Sequence, residues 1–90
     1  MTRYQQLLRN QEFPFLGWMS EQFDRQMEIG DLSSSDIIKS QLKRLQSPSA
    51  MKIIADNYYK DNHISISSQE IQDKIDKINK EIQDIKKDLC

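Results

Sequence analysis

Ninety residues suffice for one small domain, and a 37% hydrophobic, 30% charged composition excludes both a large core and a fully disordered chain. Thirteen basic and fourteen acidic residues leave a net charge of -1, with no basic tail of the kind that tracks a phosphate backbone, so nucleic-acid binding is not expected. Only two glycines and two prolines argue against a turn-rich β-sandwich and for helices.

Taken in chain order, residues 3–11 read as a short helix capped by Thr2, with Tyr4, Leu7 and Leu8 on one side. Pro14 ends it, because a proline disfavours helix in the residue before it. The stretch Glu12–Phe23 then gathers every phenylalanine and the only tryptophan of the chain. Phe13, Phe15, Leu16, Trp18, Met19 and Phe23 are therefore the candidate anchors, either as the corner and core of a helical module or as a partner-binding hook. The core role is the primary reading.

A second helix is expected over 20–29, with Ser20 as its cap and Gly30 as its stop, and Phe23 and Met27 facing one way. Ser33 and Asp36 mark the start of a third, over 34–46, with Ile38, Leu42 and Leu45 as its stripe and Ile37 widening it. Ser47 and Pro48 open a fourth, over 48–61, lined by Met51, Ile54, Ala55 and Tyr58. Residues 63–67 read as an extended connector. Residues 1–62 thus form one helical module.

Residues 68–90 carry the strongest pattern, behind a Ser67/Glu70 capping box. Ile71, Ile75, Ile78, Ile82, Ile85 and Leu89 are spaced alternately four and three apart. Ile75, Ile82 and Leu89 fall at a, and Ile71, Ile78 and Ile85 at d, while every other position from Ser68 to Asp88 is polar or charged. So narrow a stripe is the seam of a coiled coil, and a lone helix would leave it in water. Burying each isoleucine is worth about 1.5–3 kcal/mol, so the seam is expected to pair with other copies; the alternative is that the helix folds back against residues 34–60 as an ordinary bundle member. Isoleucine at both a and d favours a parallel trimer, with dimer and tetramer next.

Chemistry is sparsely written. One histidine, His63, and one cysteine, Cys90, make neither a metal set nor a Cys/His nucleophile. The carboxylates of the last helix are spaced as a solvated face, and the isolated glycines form no phosphate loop. No catalytic residue, metal or cofactor is expected. An interchain disulfide through Cys90 would need an oxidant.

The expectation is an all-α chain: a small N-terminal helical module followed by a C-terminal coiled-coil helix. It would be soluble and intracellular, since no apolar run is long enough for a membrane span or a secretory signal. As function, the pattern suggests a non-catalytic oligomerising adaptor or structural protein that presents its module to a protein partner. The alternative is a small regulatory or inhibitory protein, such as a viral or mobile-element accessory factor, gripping one target through the aromatic segment. Membrane association through Phe13, Phe15 and Trp18 is the weakest reading.

Overall fold

The structure is a computed structural model that describes residues 2–89. It is all-α. Among the described residues the order is α1 (Arg3–Leu8), a 3-10 turn (Pro14–Leu16), α2 (Gly17–Ile29), α3 (Ser34–Leu45), α4 (Pro48–Asp61) and α5 (Ser68–Leu89). Twenty-two residues of α5 span about 33 Å at helical rise, which accounts for most of the 39 Å long dimension.

Local signals set most helix starts. The Thr2 side chain accepts from the Gln5 backbone N–H, and the Gln5 side chain accepts from the Thr2 N–H, a full capping box. Ser33, Ser47 and Ser67 each accept from the backbone N–H three residues on. The start of α2 differs from expectation: Ser20 is not its cap but lies inside it. Pro14, with its φ preset, opens a 3-10 turn whose end runs straight into the helix at Gly17. α1 in turn stops at Leu8 rather than reaching residue 11, where the Asn10 side chain accepts from the Glu12 N–H instead.

Two helix ends use left-handed residues. Gly30, φ 80°, terminates α2, its N–H donating to the Gln26 carbonyl. His63 does the same after α4 at φ 55°, followed by a bond from the Ile64 N–H to the Tyr59 carbonyl. Left-handed backbone costs an L-residue about 1–2 kcal/mol, part of which glycine would return through its floppier unfolded chain. His63→Gly is therefore expected to stabilise the protein by about 0.5–1 kcal/mol, raising Tm by about 2–8 °C in calorimetry. A lower Tm would mean the imidazole makes a contact worth more than the strain.

Packing departs most from expectation in α5. Its isoleucines face the chain's own helices: Ile71, Ile75, Ile78, Ile82 and Ile85 are all buried, and Leu89 is partly so. They belong to the same cluster as Leu7, Phe13, Phe15, Leu45, Met51 and Tyr59. Helix α5 packs mainly on α4 and α1. Arg3 lies beside Glu81 and Asp84, and Glu12 beside Lys74 and Lys77, so the N-terminal segment runs opposite to α5. The picture of an independent 1–62 module followed by a free zipper is thus replaced by one shared core.

The reason is supply of apolar surface. Short helices α1 to α4 bury a limited apolar area, and α5 adds a continuous row to it on the same chain. Its narrow stripe fits there because α1 and α4 flank it closely, as a partner helix would in a coiled coil.

Candidate functional site

Most of the aromatic segment is core. Phe13, Phe15, Leu16, Met19 and Phe23 are all buried. Phe15 meets Phe13 and Tyr59 edge-on at 6.4 and 6.1 Å, and Phe23 sits 6.0 Å from Tyr4. Trp18 is the exception, with 38% of its surface exposed. Its α2 neighbour Met19 is fully buried, as are Phe15 and Leu16 just before the helix, whereas the indole keeps part of its surface in the open. Met27, placed on the Phe23 side by the sequence, is also exposed.

One polar group was not anticipated. Gln41 is the single buried polar residue among those described. Tyr4 Oη donates to Gln41 Oε1 at 2.6 Å, and Gln41 Nε2 donates to the Met19 carbonyl at 3.1 Å. This chain ties α1, α3 and α2 together. Burial pushes the Tyr4 phenol far above its ordinary value. A signal was present: Gln41 is four residues from Ile37 and Leu45 and three from Ile38, on the apolar face of α3. No buried side-chain polar atom among the described residues lacks a partner.

Surface charge is organised in two clefts. The first, about 570 Å3, lies between α1 with its following loop and α5. Its rim is matched in sign: Arg3 bridges Glu81 (3.2 Å) and Asp84 (3.1 Å), and Lys77 reaches Glu12 at 3.4 Å. These pairs are exposed and each contributes little. The neighbouring carboxylates hold the Arg3 guanidinium above its usual range, Glu81 chiefly through its hydrogen bond.

The second cleft, about 500 Å3, opens between α3 and the end of α5. Leu42 and Leu89 floor it, and Lys39, Lys43 and Lys86 stand around it. Lys39 and Lys43 have no ion-pair partner among the described residues. These lysines did not stand out in the sequence, where a Lys-x-x-x-Lys pair on a charged helix reads as solvated surface.

Among the described residues no group of three His, Cys, Asp or Glu side chains is placed to hold a metal ion. His63 is exposed, on the turn after α4. Cys90, and with it the proposed disulfide, lies outside the described residues. No helix among them is long and apolar enough to cross a membrane. No family model matches the chain, and no curated protein and no solved structure is significantly similar to it.

Proposed function

We propose that this chain is a non-catalytic protein-binding module that engages one target as a single folded chain. Of the two sequence expectations, the one-target binder is carried forward, because the residues of the Ile zipper are already occupied in the chain's own core. The observation that supports it is Trp18. Large apolar side chains placed next to it in sequence are buried, whereas this one, the largest of all, is carried outward on a rigid helix. Tryptophan is the residue most enriched among interface hot spots, and an anchor already fixed on a helix loses little entropy on binding.

The test is Trp18→Ala, assayed first for folding and then for binding to a partner identified by affinity capture and purified. The substitution is expected to leave the helical circular dichroism intact and Tm within a few degrees. It should weaken binding by about thirtyfold or more, the size of a hot-spot loss. Unchanged affinity would sink the proposal, and so would collapse of the fold, which would make Trp18 a core residue after all.

A further inference from the structure

The cleft between α3 and α5 carries a second, independent inference. It does not stop at Leu42 and Leu89. A smaller cleft of about 210 Å3, lined by Ser34, Ser35, Ile38 and Ile85, adjoins it at Leu89, which lines both. From Ser34 to Gln46 the floor follows α3 for about 18 Å, the length of roughly three helical turns. Two apolar ridges border it. Ile38 and Leu42 are four apart on α3, and Ile85 and Leu89 four apart on α5. The ridges are low, because Ile38, Leu42 and Ile85 are almost wholly buried and only Leu89 keeps appreciable surface.

Charge gives the channel a sign. Lys39, Lys43 and Lys86 stand at one end; at the other the positive start of α3 faces the negative last turn of α5, so the lysines set the sign. Asp88 is the one carboxylate lining it, and the Arg3 beside it is committed to Glu81 and Asp84. We propose that this channel is a docking groove for an acidic amphipathic helix of another protein. Leucine-like side chains at i, i+3 and i+7 would lie along the groove, and Asp or Glu on the flanks would meet Lys39 and Lys43. The apolar floor is what a nucleic-acid backbone would not need. A second copy of the chain is the poorer occupant, since its one long amphipathic row, on α5, is buried.

The experiment uses the full-length protein and a fluorescein-labelled synthetic peptide of about 14 residues with leucine at that spacing and Glu or Asp elsewhere, read by anisotropy. A matched peptide with Lys in place of each acid is the control. The acidic peptide is expected to bind and the basic one not to. Lys39→Glu with Lys43→Glu should weaken binding at least about tenfold, and added salt should weaken it further. Both lysines are exposed, so the double variant should keep its Tm; Lys52→Glu with Lys60→Glu on α4 should leave binding unchanged.

Equal binding of the two peptides, or an unaltered affinity in the lysine variant, would overturn the proposal. Lysine-dependent binding to phosphatidylserine vesicles without peptide binding would reassign the groove to a lipid surface. Concentration-dependent light scattering that the lysine reversal abolishes would reassign it to a second copy. Trp18→Ala is expected to leave the peptide affinity unchanged, so loss of this inference would not touch the reading built on Trp18.

Discussion

Ile78→Ala is expected to lower the unfolding free energy by about 2–5 kcal/mol, a large share of what a chain of this size possesses. Ile78 is fully buried in the middle of α5, where the row is flanked by α1 and α4. Removing its side chain leaves a cavity that two packed helices cannot collapse to fill. The same substitution in an intermolecular zipper would make the unfolding midpoint depend on protein concentration. Here the midpoint is expected to stay constant across a hundredfold range of concentration, in wild type and variant alike, and a shift with concentration would restore the zipper. A chain ending at Asn62 sharpens the contrast. Without α5 it loses Ile71, Ile75, Ile78, Ile82 and Ile85 from the one shared core. It is expected to show no cooperative unfolding transition, whereas an autonomous N-terminal module would melt as a unit.

The second large effect concerns the buried tyrosine–glutamine chain. Tyr4→Phe removes the donor to Gln41 Oε1 and leaves that oxygen buried without a partner, at a cost of about 1–3 kcal/mol. Gln41→Ala is expected to cost more, because it orphans the Tyr4 hydroxyl and opens space on α3 as well. Replacing both partners together, Tyr4→Phe with Gln41→Leu, should cost less than the two single losses summed. The pair also predicts a pH limb. The Tyr4 phenol titrates higher in the folded than in the unfolded chain, because burial disfavours its charged form. Its contribution is therefore complete below the unfolded value near pH 10 and declines as pH rises above it. There the unfolded chain sheds a proton that the folded chain keeps, and stability should fall by up to about 1.4 kcal/mol per pH unit. Urea titrations between pH 8 and 11.5 measure it, and Tyr4→Phe should flatten the alkaline slope. An unchanged slope in that variant would mean another group governs the limb.

How much of this is legible in the sequence depends on whether a feature is local. The serines before α3, α4 and α5 and the glycine after α2 act within one turn of chain, so hydroxyl, backbone N–H and left-handed geometry follow from residue type alone. The all-α class follows from the same local evidence, together with the 3.6-residue stripes. The start of α2 is not legible, because a serine has capping chemistry wherever it stands, while a proline-led 3-10 turn joined to Gly17 leaves no comparable mark. His63 is less legible than Gly30, since histidine enters the left-handed region only where the turn after a helix makes up for its strain.

By itself the sequence determined that α5 must bury its row of isoleucines, because that row is too long and too apolar to remain in water. Only the tertiary structure decided what it is buried against. An a/d stripe specifies the shape of a partner and not its address, and helices α1 and α4 of the same chain meet that specification at intramolecular concentration. The same distinction runs through the aromatic segment. Phe13, Phe15, Leu16, Trp18, Met19 and Phe23 are equally apolar as written, yet packing takes five into the core and turns Trp18 outward. Burial is a demand that composition can state. Which side chain satisfies it, and which is left at the surface, depends on the directions that only the packed helices supply.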